Sequence, residues 1–473
     1  MGMNLKIRPT EFAFDFSRAD RVVWTHSNRD VTVALDGSPA SFFVNDEQIA
    51  DQFSAMLSPV LADLVDVAIA VHMADRLALR DLYFTNGWSR HFKLFLSVRS
   101  PDRWNDQAIK SRLEQLLSFL TEDTWSLSFV LRNEGKRSSE IQQHLFAEIG
   151  DGTVAISLFS GGLDSLAGTA TAIQKSKAQK FVLVSASPNP RQRYGQQEQA
   201  KLLRQNLGLP IWHVCVPFGL HGGDQYAQEP SRRTRGLLFV VLGAVTAISG
   251  HVPTLSIYEN GWGALNLPYD DSQIGTDNTR ALNPRFLRQA GQFIQSITEH
   301  ECCIVNQSIY ETKASMLKSA GQDILARCIP LTFSCDGFPL RAKNHAQCGF
   351  CTSCLLRRYS LEVAGLAKFD SDSYLQDWKL NRFKPNKHHL RGLRAMDWQT
   401  RRLAKCFANK EAWLPLVTEF PELRTVVTDL GLLNQQPVDE VRDHLMAMLH
   451  EHILSWNTFS ALQLLSTSSL RAA

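Results

Sequence analysis

Charge of one sign is not in excess in this sequence. Its 50 Lys and Arg face 47 Asp and Glu, a formal net charge of +3, which excludes a chain basic throughout and confines any nucleic-acid affinity to a local patch. Long apolar runs are also missing: the longest, Leu237 to Ser249, is too short to cross a bilayer and reads as a buried helix. No basic-then-apolar segment follows Met1-Gly-Met3, so the start is expected to be a plain cytosolic one or an expression scar. The protein is accordingly expected in the cytoplasm, with no membrane partner. Without an export signal, its nine cysteines point to thiols and metal rather than disulfides.

What is present begins with size. A chain of 473 residues, 44% of them hydrophobic, has room for about three domains with real cores. Its most informative stretch is Ser160-Gly161-Gly162-Leu163-Asp164-Ser165. Thr153 to Phe159 before it reads as a buried parallel strand, and Leu166 to Lys175 after it as a helix. A strand feeding a Gly-Gly turn at a helix start gathers unpaired N–H groups and the positive end of the helix dipole, an anion site best suited to phosphate. Glycine lets the backbone turn tightly and approach phosphate oxygens, while Ser160 and Ser165 add hydroxyl donors. No Lys follows the second Gly, so this is not a Walker loop. The stretch resembles the PP-loop (SGGxDS) of the N-type ATP pyrophosphatases, which implies cleavage of ATP between its α and β phosphates and adenylation of a substrate.

Residues 1–150 carry no recognisable chemistry. Arg21 to His26, Val31 to Leu35, His91 to Ser97 and Trp125 to Leu131 alternate as strands do, and Glu47 to Leu79 and Asp106 to Leu120 read as helices, so an α+β accessory domain is expected. Arg132 to Ser139 is its expected linker. Over 151–369, strands at Phe181 to Ser187, Ile211 to Pro217, Thr254 to Tyr258 and Cys302 to Asn306 alternate with helices at Arg193 to Leu207, Arg235 to Ser249 and Pro284 to Thr298. That alternation predicts an α/β fold, a doubly wound and mostly parallel sheet. Ligands of such sheets sit beyond the carboxyl ends of the strands, here at Ser160, at Ser185 to Asn189 and at Glu259-Asn260-Gly261. Residues 370–473 read as a helical basic region. Between Asp377 and Lys405 there are nine Lys or Arg against two Asp, with Trp378, Phe383 and Trp398 interleaved. Such a segment either tracks a nucleic-acid backbone or forms a solvated basic face, the reading preferred here.

The second constellation is Cys335, Cys348, Cys351 and Cys354, spaced C-x12-C-x2-C-x2-C with Gly349 after the second cysteine. Two-residue gaps let thiolates converge on one ion, and four sulfurs close a tetrahedral structural zinc site, an iron-sulfur cluster being the alternative. The PP-loop-like stretch, Thr312-Lys313, Ser334-Cys335, the three clustered cysteines and Arg357 together resemble the 7-cyano-7-deazaguanine synthase (QueC) family over roughly residues 153–368. The resemblance implies an ATP-dependent ligase forming C–N bonds. It would adenylate 7-carboxy-7-deazaguanine and let ammonia attack, giving first the amide and then the nitrile, with zinc on the four cysteines and ATP and Mg²⁺ at the loop. The end of the second strand, the turn at Ser185 to Asn189, would receive the adenosine.

Residue chemistry assigns roles alongside the resemblance. Charge developing on pyrophosphate calls for the loop N–H groups, Ser160, Ser165 and a cation, for which Lys313 is the candidate. Asp164 offers carboxylate oxygen to Mg²⁺. Arg232 and Arg235 either grip phosphate or carboxylate in bidentate fashion or are a solvated helix start. A deazaguanine presents an N–H and amine pair that one carboxylate accepts: Glu259 is the first choice, beside Asn260, and Asp336 the second. Tyr258 and Trp262 either stack on the base or belong to the core. The added segments at both ends, and the Glu-Asn-Gly sequence, look more like the QueC-like proteins of anti-phage operons, the Qat and type IV CBASS systems. There the acceptor amine would belong to a protein or other macromolecule, with operon proteins as partners. Two rivals stand beside this: another PP-loop enzyme, such as a tRNA-thiolating or amidating one using Cys215 or Cys302, and a binding protein with a vestigial loop.

Overall fold

The structure is a computed structural model that describes residues 10–15, 21–28, 31–34, 40–80, 89–132, 136–141, 149, 152–221, 228–269, 280–337, 347–370, 374–379, 386–409 and 411–467. Phe383 and the 133–135 part of the expected linker lie outside them. The fold is α/β. Its strands are β1 (Thr10–Asp15), β2 (Arg21–Asn28), β3 (Val31–Ala34), β4 (Ala40–Val44), β5 (His91–Val98), β6 (Thr124–Leu131), β7 (Val154–Leu158), β8 (Lys180–Ser187), β9 (Ile211–Leu220), β10 (Thr254–Ile257) and β11 (Cys303–Asn306). They form one sheet in the order β11-β10-β7-β8-β9-β4-β2-β1-β5-β6, with β3 beside β2.

The five strands from β7 onward are all parallel and wind both ways from β7, to β8 and β9 on one side and to β10 and β11 on the other. Covered on both faces, β8 is buried at every position but Lys180, whereas β5 alternates buried and half-buried residues. The helices Leu163–Lys175, Pro190–Leu207, Arg235–Ser249 and Pro284–Thr298 connect or cover these strands. Leu163–Lys175 begins three residues before the expected start, with the extended Gly162 as its cap.

The amino-terminal strands do not stand apart. β4, absent from the sequence expectation, pairs antiparallel with β9 through Phe42 opposite Leu220 and Val44 opposite Phe218. β9 therefore runs past Pro217, where the expected strand ended: proline forfeits only its N–H, and its carbonyl accepts from Asn45 N–H at 2.9 Å. One apolar cluster carries Phe12, Phe42, Leu94, Val184, Val214, Leu238 and Phe293 together. A single core thus runs beneath both halves.

The helix Pro59–Leu77 is buried along nearly its whole length and packs on Arg235–Ser249. The expected single helix from Glu47 breaks instead at the left-handed Ser54 and restarts at Pro59, capped by Ser58. Its acids are paired: Asp63 and Asp66 with Arg99, Asp66 also with Arg132 and Arg137, and Asp75 with Arg90. Arg132 and Arg137 belong to the expected linker, and both are thereby tied down. Ser138–Ile141 is helical.

The carboxyl-terminal helices Lys387–Phe407, Trp413–Glu419, Glu422–Asn434 and Val438–Trp456 pack around Trp262 and Ile309. Among the described residues no helix is long and apolar enough to cross a membrane.

Candidate functional site

β7 and β10 are neighbours from which the chain departs in opposite directions, so their carboxyl ends open the crevice in which ligands of doubly wound sheets bind. Ser160–Ser165 follows β7 and Glu259-Asn260 follows β10. Gly161 has φ +75°, and a Cβ there would fall 2.7 Å from Gln196 Cγ, so only glycine fits the corner. The corner is held from behind. Gln196 Nε2 donates to Ser160 O (2.9 Å), and Gln199 Nε2 donates to Gly161 O (3.1 Å) and Leu331 O (3.0 Å). Ser160 Oγ accepts from Gly162 N–H (3.1 Å) and lies 3.0 Å from Ser165 Oγ, which donates to Gly162 O (3.0 Å). With the carbonyls engaged behind, the N–H groups at the start of Leu163–Lys175 are left for an anion.

Asp164 is buried in the first turn of that helix. Its Oδ2 lies 2.6 Å from Lys313 Nζ and accepts from Asn260 Nδ2 (3.4 Å), while its buried Oδ1 has no donor. Lys313 opens the helix Lys313–Ser319, whose cap is Thr312, accepting from Ser315 N–H (3.0 Å). Burial works against the Lys313 ammonium, but Asp164 and then Glu259 outweigh it and hold its pKa above the ordinary lysine value. Glu259 is pushed well up, by burial first and by the Asp164 charge second. Its backbone is clamped by Asn306, which accepts from Glu259 N–H (3.1 Å) and donates to Glu259 O (2.9 Å). Its Oε1 accepts from Asn260 Nδ2 (2.8 Å).

Other expected site residues sit elsewhere. Glu259 is half-buried, and its carboxylate is engaged by Asn260 and faced by Asp164 and Lys313. The exposed Asp336, accepting from Ser353 Oγ (2.5 Å), offers the open carboxylate. Ser185 is buried, donates to Phe159 O (2.5 Å) and meets His213 Nε2 at 2.8 Å, so it supports the strand before the loop and does not face a ligand. Tyr258 is buried with Leu166 and Ala170, and Trp262 stacks on His452 at 3.6 Å between ring centres. Both aromatics are core. Arg232 and Arg235 stand at the start of Arg235–Ser249, at the same end of the sheet as the loop, and Asp336 is among the charges that act on Arg235.

Cys335, Cys348, Cys351 and Cys354 bring their four sulfurs within 4.8 Å of one another. Cys348 Sγ and Cys354 Sγ are 3.8 Å apart, the separation of about 3.8 Å that tetrahedral zinc–sulfur bonds of ~2.3 Å require. Backbone N–H groups of Cys348, Cys351 and Cys354 point at the sulfurs of Cys335 (3.4 Å), Cys348 (3.3 Å) and Cys351 (3.4 Å), which favours thiolates. Gly349 has φ +88°, and a Cβ there would fall 2.1 Å from Gln376 O. The cluster could hold a metal ion such as zinc. Arg357, wholly buried, joins it to the loop's backing: its Nη2 donates to Asp370 Oδ1 (2.9 Å) and Ile329 O (3.1 Å), its Nη1 to Thr332 Oγ1 (2.5 Å). Leu331, between these contacts, is the residue that Gln199 also grips.

No family model and no curated protein matches this chain. Sequence reasoning missed Gln196, Gln199 and Asn306, since amides on a polar helix or at a strand end look like solvated surface. In the carboxyl-terminal region Trp378 is enclosed under Arg358, Arg401 pairs with Asp397 and Arg402 with Glu419, the arrangement of a solvated face. Burial pushes the Cys215 thiol up to about 11 and the Cys302 thiol up to about 12. Cys302 precedes β11, at the opposite end of the strand from Lys313.

Proposed function

We propose that this chain is an ATP-dependent ligase of the PP-loop, 7-cyano-7-deazaguanine synthase type, which adenylates a 7-carboxy-7-deazaguanine-like acid and passes it to an amine. What carries this reading is the meeting, at the switch point of the sheet, of a glycine corner that opens a helix start and the Asp164–Lys313 pair.

The substrate carboxylate oxygen attacks the α phosphorus, the α–β P–O bond breaks, and pyrophosphate leaves with the bond's electrons. Loop N–H groups and the Ser160 hydroxyl stabilise that charge, and Lys313, kept protonated, adds a fixed cation beside it. Mg²⁺ would supply further charge neutralisation, and the donor-free Oδ1 of Asp164 is the oxygen to hold it. The amine nitrogen then bonds the acyl carbon, the C–O bond to AMP breaks, and the amine loses a proton, leaving an amide. With ammonia as the amine, a second activation of the amide oxygen and loss of AMP and a proton gives the nitrile. Asp336 accepts the donor edge of the base. Zinc on the four thiols is structural, since four sulfurs leave no position for water.

The added segments favour a protein or other macromolecular acceptor in an anti-phage setting over free ammonia. Of the six Lys and Arg of helix Lys387–Phe407, Arg401 pairs with Asp397 and Arg402 with Glu419 of the following helix. Metal-loaded protein is incubated with MgATP and carboxydeazaguanine, with and without ammonia, and pyrophosphate, AMP and product masses are followed. Pyrophosphate release that depends on the acid is expected; none under any of these conditions would overturn the reading. Efficient nitrile formation without partner proteins would overturn the macromolecular acceptor alone.

A further inference from the structure

β4 covers only the far part of β9. The ladder to β8 fixes which groups of β9 face outward. Phe181 stands opposite Ile211 and its N–H donates to Pro210 O (3.0 Å), so in the parallel pattern Trp212, Val214 and Val216 bond β8. Ile211, His213, Cys215 and Pro217 therefore present their backbone groups at the other edge. Three of these four positions are engaged. Arg204 Nε donates to Ile211 O (2.8 Å), Cys215 N–H donates to Gln48 Oε1 (2.8 Å), and Pro217, which has no N–H, accepts from Asn45 N–H at 2.9 Å.

His213 is the exception. Among the described residues neither its N–H nor its C=O has a partner across that edge. Its ring is engaged elsewhere: the Ser185 hydroxyl gives its proton to Phe159 O (2.5 Å), so His213 Nε2, at 2.8 Å, donates to Ser185 Oγ. Burial first and Arg204 second push the His213 pKa down to about 4, which leaves the imidazole neutral. At this gap lies a cavity of about 330 Å³, lined by Gln48 and His213 and, from the helix Pro190–Leu207, by Gln197, Lys201 and Arg204 among others. No Asp or Glu is among the described lining residues. Lys201 has Glu198 at 3.7 Å on its own helix, and among the described residues Arg204 has no carboxylate at ion-pair distance.

An edge residue with both backbone groups open is a template for one residue of an added chain, which exchanges two hydrogen bonds with it. The added piece must be short, because Gln48 occupies the next outward position on one side and Arg204 the next on the other. It would prolong the line of β4, which runs antiparallel to β9 and turns away into the helix Glu47–Phe53 where the gap begins. A chain in that direction has its carboxyl end at Ile211, where Arg204 stands, with Lys201 one turn back on the same helix. We propose that the open edge of β9 at His213 docks the carboxyl-terminal end of a partner protein, its penultimate residue pairing with His213 and its terminal carboxylate meeting Arg204 and Lys201. Charge and room both favour a terminus over a strand that passes through: a carboxylate matches the two cations, and nothing has to continue past Ile211. The edge is open whether or not the chain adenylates an acid.

Fluorescence anisotropy of the labelled peptide fluorescein-Gly-Ser-Thr-Val-Thr-Val, with a free carboxylate, titrated with the full chain tests this. Binding with Kd below about 1 mM is expected. The carboxamide form, and a form N-methylated at the penultimate residue, should each bind roughly tenfold more weakly, the first for the lost charge and the second for the lost donor. His213→Pro removes the outward N–H while the bonds of Trp212 and Val214 to β8 remain, and Lys201→Glu reverses an exposed charge. Both should weaken the free acid by roughly tenfold. Should His213→Pro fail to fold by circular dichroism, the N-methylated peptide makes the same test from the ligand's side. No binding by wild type, equal binding of the carboxamide or of the N-methylated peptide, or unchanged binding in Lys201→Glu would each overturn the proposal. Acetylvaline that competes as well as the peptide, mole for mole, would overturn the protein partner and leave a small acid as the ligand.

Discussion

Lys313 sets its ammonium 2.6 Å from Asp164 Oδ2 across 149 residues of chain, with both side chains 9% exposed. A pair so enclosed loses far more when one partner is removed than it contributes as a pair, because the survivor is a buried, unmatched charge. Here the survivor would also face Glu259. Lys313→Met is therefore expected to destabilise the fold by about 3–5 kcal/mol, read as a lowered denaturant midpoint. Adding Asp164→Leu should recover part of that loss while pyrophosphate release stays absent. A single variant as stable as wild type would show that the pair is not held as described.

Local chemistry was the legible part of this molecule. The glycine corner and the cysteine spacing are written in contiguous residues, and the strands β7 to β11 announce themselves as apolar runs between helices. The join of the halves was not legible. β4 is a five-residue strand whose worth lies in its pairing with β9, and pairing leaves no mark on either strand alone. Asp63, Asp66 and Asp75 likewise read as the polar face of a helix, because the arginines that neutralise them come from Arg90, Arg99, Arg132 and Arg137, far along the chain. Glu259 read as a free carboxylate at a strand end for the same reason.

Glu259 gives the fold a pH dependence of definite sign. Its pKa is raised above 4.5 by burial and by Asp164, so the folded state holds the proton more tightly than the unfolded chain. The resulting stability is complete below 4.5 and is lost as pH rises through the raised value. Glu259→Gln escapes that loss. Its melting temperature minus that of wild type should grow between about pH 5 and about pH 8, measured without nucleotide or divalent metal. A difference that stays flat would place Glu259 in water.

Gln199 is a positioning residue, one amide shared between Gly161 O and Leu331 O. Gln199→Leu leaves both carbonyls without their donor and should cost about 1–3 kcal/mol. If the corner cups the phosphates as proposed, its loosening should raise KM for ATP more than it lowers kcat. Gln199→Glu, which cannot donate, should behave alike; a loss confined to kcat would mean that Gln199 touches the reacting atoms instead.

The four-thiol cluster should carry zinc in stoichiometric amount, read by elemental analysis. A chelator should lower the melting temperature and Zn²⁺ should restore it, since ligand binding free energy is folding free energy for such a site. Cys351 also caps the helix Thr352–Val363, and Arg357 carries that helix's position to Ile329 and Thr332. Chelation is thus expected to weaken ATP binding along with stability. Iron with visible absorption in the purified protein would replace zinc by a cluster.

Sulfur transfer makes a contrary demand on the thiols outside that cluster. A sulfur carrier must reach its thiolate near neutral pH and must stand where the activated substrate is. Burial pushes Cys215 up to about 11 and Cys302 up to about 12, and Cys302 lies before β11 rather than beyond it. Cys215→Ala and Cys302→Ala should therefore leave ATP turnover within about twofold of wild type, each losing only the stability of a small buried side chain. If either abolished turnover while melting normally, the amide-forming chemistry would give way to the thiolating alternative.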